Sequence, residues 1–336
     1  MKKLVEENYE LHINHMEKIK NVYKISAKTG SFCFKIIPYD YGHFLFILSA
    51  IKHLQANDFK NTPEIIKNKR NIDFTEIQDK FAYLTKWITA RECNYDNPVG
   101  LNLAVSKLAE LHLKSQCFQV TSEMKPRVYW FKWLENFETR GEEILDFKSR
   151  INSKDSKTYF DDLYGSILEE ELERVENSLE DLKASDYLFN MGIEIEKMGF
   201  CHHDIAHHNV LITGDNQANV IDFDYCILDT HLHDLSSILI RRLKNGKWDF
   251  KEALKVLQCY DEVYNIKQSE LPIMASFIEF PQEFWQLGIQ YYWERKPWEE
   301  ELFVSKLLKY IEDREFRQDF IRELAEYKFK GGAING

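Results

Sequence analysis

Between residues 199 and 224 the chain reads Gly199-Phe200-Cys201-His202-His203-Asp204-Ile205-Ala206-His207-His208-Asn209-Val210-Leu211-Ile212, then a Gly214-Asp215-Asn216 turn, then Ala218-Asn219-Val220-Ile221-Asp222-Phe223-Asp224. Asn209 lies five residues after Asp204 and Asp222 eighteen after it. Transfer of a phosphoryl group needs a carboxylate that orients an acceptor hydroxyl and takes its proton. It also needs hard oxygen ligands that hold Mg²⁺ on the phosphates. Asp204 suits the first role, and Asn209 with Asp222 the second. Each alone has an ordinary structural use: Asp204 capping a turn, Asn209 in a left-handed position before a strand, Asp222 ending a strand. Their joint occurrence around two short apolar stretches is what points to chemistry.

Those stretches predict a hairpin that presents all three side chains at one end. Upstream, Tyr9 to Ile37 predicts a three-stranded antiparallel meander, with a turn at Lys28-Thr29-Gly30. Residues 43–55 place Leu45, Leu48, Ile51 and Leu54 at helical spacing, and Ile72–Thr75 and Lys80–Ile88 predict two more strands after an Asn61-Thr62-Pro63 turn. Beyond Pro98-Val99-Gly100 the pattern is helical: Ala104–Leu113, a short polar helix with a loose connection in 138–158, and one long charged helix from about Tyr159 to Met198. The aromatics at Phe280–Trp285 and Tyr291–Trp293 read as core, and Lys330-Gly331-Gly332-Ala333 as a frayed tail.

Composition narrows the function class. A net charge of −11 without a basic stripe argues against coating nucleic acid and favours a neutral or cationic small substrate. The six cysteines form no C-x-x-C pair, so neither a zinc ribbon nor a disulfide framework is predicted; they read as buried free thiols in a reducing compartment. No apolar run predicts a signal peptide or a membrane span, so the expectation is a cytoplasmic protein with no membrane or nucleic-acid partner.

The spacing matches the kinase pattern H-R-D-x-x-x-x-N followed by D-F-G. More closely, the chain resembles the aminoglycoside phosphotransferase and choline kinase superfamily, whose motif is H-G-D-x-x-x-x-N with a later D-x-D. His202-His203-Asp204 stands for the first and Asp222-Phe223-Asp224 for the second. The paired histidines and Phe200-Cys201 look like the CotS-type spore coat proteins, a kinase-like branch of that superfamily. The long helix before the motif, the Trp87–Arg91 segment and Phe280-Pro281 fit that branch too.

The resemblance implies an α+β, two-lobed protein-kinase-like fold. Its small N-lobe would hold five antiparallel strands plus one helix (residues 1–90), and its large, mainly helical C-lobe the catalytic hairpin (91–336). It also implies ATP and Mg²⁺ as cofactors, with a hydroxyl of a small molecule as acceptor: a sugar, an amino sugar or an amino alcohol. Lys35 would grip the α/β-phosphates, and the backbone around Thr85, Lys86 and Trp87 would form the adenine hinge. His202 would anchor the catalytic loop, Asp234 would buttress it, and Asp224 would touch a second metal or cap the strand. Assembly with other spore coat proteins is implied as well.

Three departures from the pattern stand out. The helix at 43–55 has no acid to pair with Lys35, so that lysine is expected to be held less firmly. The expected nucleotide-covering loop, within His15–Asn21, lacks glycine. His203 stands where the motif has glycine. Two other readings remain open: a non-catalytic kinase-like coat component, and a metal-dependent phosphohydrolase using His202, His203, Asp204, His207 and His208.

Overall fold

The structure, a computed structural model, describes residues 1–328; the expected tail at Lys330–Ala333 lies outside them. In chain order the elements are α1 (Lys2–Asn8), β1 (Ile13–Ile19), β2 (Val22–Ala27), β3 (Gly30–Ile37), α2 (Tyr41–Ala56), β4 (Ile65–Ile66), β5 (Thr75–Ile77), β6 (Lys80–Lys86), β7 (Arg91–Glu92) and α3 (Pro98–Lys114). Then come α4 (Trp133–Asn152), α5 (Tyr159–Ala184), α6 (Tyr187–Lys197), β8 (Val210–Ile212), β9 (Ala218–Val220), α7 (Leu232–Leu243), α8 (Phe250–Asp261), α9 (Glu270–Glu279), α10 (Gln282–Gly288), α11 (Glu300–Glu312) and α12 (Arg314–Glu326). Two compact units result. One joins Met1–Val128 to Lys197–Asp234; the other joins Tyr129–Glu196 to the residues from Leu235 on. The expected boundary at residue 90 falls inside the first.

In the first unit an antiparallel sheet runs β1-β2-β3-β6-β4, with β5 also on β6. It has six strands where five are predicted, because two- and three-residue strands give no readable alternation. The predicted strand at Ile72–Thr75 begins only at Thr75. Asn68 Oδ1 accepts from Arg70 N and Ile72 N, and Asn71 takes φ 62°, which folds those residues into a turn. Sequence reading also misses α1, a single charged helix that survives by burying Val5 beside Tyr9, Ile25, Phe34 and Leu84. β3 pairs with β6 so that Lys35 faces Tyr83 and Cys33 faces Thr85.

α2 starts at Asp40, whose side chain accepts from His43 N, and it buries Phe44, Phe46, Ile47, Leu48, Ile51 and Leu54. α3 starts at Asn97, which caps Val99 N and Gly100 N, with Pro98 at the first turn. The predicted hairpin is β8–β9, extended by β7 into a three-stranded sheet.

The second unit is helical. The stretch predicted as a short polar helix belongs to the 20-residue α4, whose stripe of Trp133, Phe137, Ile144, Phe147 and Ile151 is buried. The predicted single long helix breaks at Ser185, which is extended (ψ 174°) and accepts at Oγ from Tyr187 N, so one serine ends α5 and starts α6. The aromatics are core as expected: Phe137 stacks on Phe280 at 4.2 Å and Tyr164 on Phe284 at 3.9 Å. A Cβ at Gly288 would meet the Phe147 ring at 2.4 Å, so that approach requires glycine. Among the described residues no helix is long and apolar enough to cross a membrane.

Candidate active site

All the predicted site residues fall in the first unit. Asn209 closes the segment after Asp204: its Nδ2 donates to Asp204 O at 2.9 Å and to Asp204 Oδ2 at 3.0 Å. Its carbonyl accepts from Ile221 N at 3.0 Å, tying the start of β8 to the residue before Asp222. Asp204, Asn209 and Asp222 therefore sit on one hydrogen-bonded path at one end of the hairpin. Because Nδ2 is spent on Asp204, the atom that Asn209 can offer a ligand is Oδ1.

The loop carrying Asp204 is suspended from one carboxylate. Fully buried Asp234 accepts from His202 N at 2.7 Å, from His203 N at 2.8 Å and from His112 Nε2 at 3.1 Å. Burial alone would raise its pKa, but His112 and His233 outweigh that and hold it well below the ordinary carboxylate value. The His202 ring spans back to Ile221 O at 2.9 Å; a carbonyl only accepts, so Nε2 carries the proton. His203 has φ 69°. That left-handed geometry explains why a glycine suits this position; a side chain here stores about 1–3 kcal/mol of strain. The His203 imidazole is pushed down to about 3 by burial, by neighbouring His233 and by Arg127, against the pull of Asp234, so it is neutral at physiological pH. Asp222 is left-handed too, at φ 69°.

Lys35 is 5% exposed and reaches across to the second motif: Nζ lies 2.7 Å from Asp222 Oδ1 and 2.6 Å from Asp224 Oδ1. The expectation of a loosely held lysine is thereby corrected. Acids after β9 do what an acid on α2 would have done, a pairing invisible from residue 35 because 187 residues separate the partners. Burial would lower the Lys35 pKa, yet Tyr83, Asp224 and Asp222 together hold it above its usual value. The two acids diverge. Burial pushes Asp224 up, whereas for Asp222, with 30% of its side chain exposed, Lys35 outweighs burial and pulls the group down. One cation facing two acids leaves a net negative cluster of hard oxygens, which with Asn209 Oδ1 fits a divalent cation of the Mg²⁺ kind.

At the expected hinge, Thr85 is buried in the β3–β6–β4 ladder. The N–H of Trp87 already donates to Ser31 O at 2.9 Å, so Trp87 can offer an adenine its carbonyl or ring face but not its amide hydrogen. The expected covering loop is a two-residue hairpin turn, Lys20-Asn21, with Lys20 at φ 52° and pairing from Ile19–Val22 onward.

Residues 2–324 match the model of the family described as "Spore coat putative kinase YutH". The chain belongs to this family. Spore coat protein S of Bacillus subtilis (strain 168) is 23% identical over 330 residues, covering 95% of this chain and 92% of that protein. A crystal structure of an aminoglycoside phosphotransferase from Alicyclobacillus acidocaldarius superposes with TM-score 0.85 at 22% identity, over 96% of this chain and 94% of that one. Spectinomycin phosphotransferase APH(9)-Ia, in complex with ADP and spectinomycin, gives TM-score 0.64 at 15% identity, over 95% and 96%. These likenesses show a protein-kinase-like fold, with an antiparallel sheet lobe and a mostly helical lobe, for this member of the YutH family.

The histidines of the phosphohydrolase reading do not converge. His202 binds backbone, His203 packs on His233 at 4.6 Å, and His207 and His208 are exposed. Among the described residues the cluster with metal-ligand spacing is His112, Cys201 and Asp234, whose carboxylate already holds the backbone of His202 and His203. Sequence reading missed His112 and Arg127. His112 sits in Leu108–Leu113, which reads as plain amphipathic helix, and Arg127 in a loop with no motif.

Proposed function

We propose that this YutH-family protein is an ATP- and Mg²⁺-dependent phosphotransferase acting on the hydroxyl of a small molecule, in association with the spore coat. The observation that carries the reading is the single connected path Asp204–Asn209–Ile221–Asp222, with Lys35 clamped to its far end. Asp204 is the carboxylate available to align an acceptor hydroxyl and accept its proton. Lys35 meets the nucleotide phosphates, and Thr85 and Trp87 border the adenine. Asn209 and Asp222, with Asp224 beside them, are the oxygen donors for Mg²⁺, which when bound neutralises the charge of the phosphates. His202 and Asp234 hold the loop and take no part in proton transfer. The ADP held by the spectinomycin enzyme of the same fold supports the nucleotide assignment.

Two measurements on the full chain test this. Mg-ATP at millimolar concentration should raise the melting temperature, and a panel of sugars, amino sugars and amino alcohols should include one that drives ATP consumption in wild type and not in Asp204→Asn. Equal ATP consumption by the variant would remove Asp204 from its role. The similarity to spore coat protein S, together with a strained His203 at the motif's glycine position, favours a second reading as a non-catalytic coat component. Absence of any thermal response to Mg-ATP would select it.

A further inference from the structure

Asp222 and Asp224 hold Lys35, and the same carboxylates are the oxygens offered to a cation. A tether that spends neither carboxylate would keep their turn seated beside β3 while those ion pairs rearrange. The segment 125–128, between α3 and α4, is bound on both sides. At the start of α2, Lys125 N donates to Gly42 O at 3.0 Å and Lys125 O accepts from the His43 ring at 3.2 Å. Just beyond the second motif, Leu228 N donates to Arg127 O at 2.9 Å and Val128 bridges Leu228.

The Arg127 side chain makes the same connection. Its guanidinium carbon lies over the Tyr39 ring, 5.1 Å from the centre, and over the Tyr225 ring at 5.7 Å. Tyr39 stands in the link from β3 to α2, four residues after Lys35, and meets the His43 ring edge-on at 4.8 Å. Tyr225 directly follows Asp224 and ends the short helical turn Phe223–Tyr225 that starts from Asp222, closed by Cys226 N donating to Phe223 O at 3.0 Å. A shift of Tyr225 therefore moves the turn that carries both acids. None of these contacts uses the carboxylate of Asp222 or Asp224, both of which face Lys35. A guanidinium is planar and always charged, so it can be held by aromatic rings without an acid as partner.

We infer that Arg127 is a positioning residue: by linking Tyr39 to Tyr225 it seats the turn of Asp222 and Asp224 against the strand of Lys35. The two carboxylates then present their oxygens together, to Lys35 and to a divalent cation. Arg127 acts through Tyr225 and takes no part in the chemistry itself. The role toward a cation rests on the phosphotransfer reading, whereas the link to Lys35 stands without it.

The test is a double-mutant cycle on the full chain, read by urea unfolding of wild type, Arg127→Gln, Lys35→Met and the double variant. Lys35→Met should raise the unfolding equilibrium constant about fivefold less in the Arg127→Gln background than in wild type, because the acids there are no longer seated against Lys35. Additive costs, or a larger cost in that background, overturn the proposal. Tyr225→Leu removes the ring on the turn and should reproduce Arg127→Gln in the cycle. Tyr225→Phe keeps the ring and should match wild type; if it behaves as Tyr225→Leu does, the link does not run through the ring and the proposal fails. A second arm titrates Mn²⁺, which shares the preference of Mg²⁺ for oxygen, by electron paramagnetic resonance in the presence of AMP-PNP. Arg127→Gln should weaken Mn²⁺ affinity about tenfold, as the loss of a group that orients metal donors does. Equal Mn²⁺ affinity in variant and wild type overturns the proposal. A less-than-additive cycle in a chain that binds neither Mn²⁺ nor AMP-PNP would sink the phosphotransfer reading and leave the link between Arg127 and Lys35 standing.

Discussion

Two buried polar clusters flank the β8–β9 hairpin, and they are built on opposite principles. At the loop carrying Asp204 one carboxylate, Asp234, meets two backbone N–H groups and one imidazole, so its charge is satisfied by donors held by the fold. At the second motif one ammonium, Lys35, meets two carboxylates, so a negative charge is left over and the pairing can be rearranged by an incoming cation or phosphate. The first arrangement fixes geometry. The second holds electrostatic capacity for a ligand. The proposed phosphotransfer would need both, in adjacent places.

Several substitutions would break or sharpen that contrast. The largest effect belongs to Asp204→Asn, which should lower the rate of ATP consumption with the best acceptor by about 10²–10⁴ while leaving the melting temperature and the Mg-ATP shift intact. Asp234→Ala should cost about 3–5 kcal/mol in urea unfolding at pH 7, because two backbone donors and His112 lose their acceptor in the interior. Asp234 is depressed in the fold, so its stabilisation is complete above the ordinary carboxylate pKa of about 4 and is lost as pH falls through the lower folded value. The gap between wild type and variant should accordingly shrink below pH 4. A constant gap would show that the carboxylate charge is not what holds the loop.

Lys35→Met should destabilise by about 2–4 kcal/mol at pH 7 and abolish the Mg-ATP shift, since two acids then face each other unpaired. Asp224 is already raised, so this loss should recover partly on acidification as Asp224 takes up a proton, the reverse of the Asp234 trend. The smallest effect is His203→Gly. Relief of the left-handed strain offsets the lost His233 contact, so stability at pH 7 should change by no more than about 1 kcal/mol. With His203 depressed to about 3, the unfolded chain binds the extra proton below the ordinary histidine value, so wild-type stability falls as pH drops from about 6.5 towards 3. The glycine variant should lack that component of the pH profile.

Much of the site was legible in the sequence because it is local. Asp204, Asn209 and Asp222 lie within nineteen consecutive positions, and the hairpin between them is signalled by two short, mainly apolar stretches around a turn. The meander, α2 and the helical second half follow from periodicity. The misses also have physical causes. α1 is stabilised by burial of Val5 and not by its own pattern, β4 and β5 exist only as partners of β6, and Ser185 splits a helix whose apolar stripe continues unbroken.

The sequence alone determined which residue types stand at the ends of the hairpin and at what spacing, because a loop, a strand pair and a turn are built by near neighbours. Only the tertiary structure decided that acids after β9 supply the partners of Lys35, that His112 of α3 supports the loop carrying Asp204 through Asp234, and that Arg127 comes near the rings of Tyr39 and Tyr225. Each of these joins residues scores of positions apart or more. Such contacts are selected by burial and charge in the folded interior, where an unpaired ion is costly, and no local pattern records them.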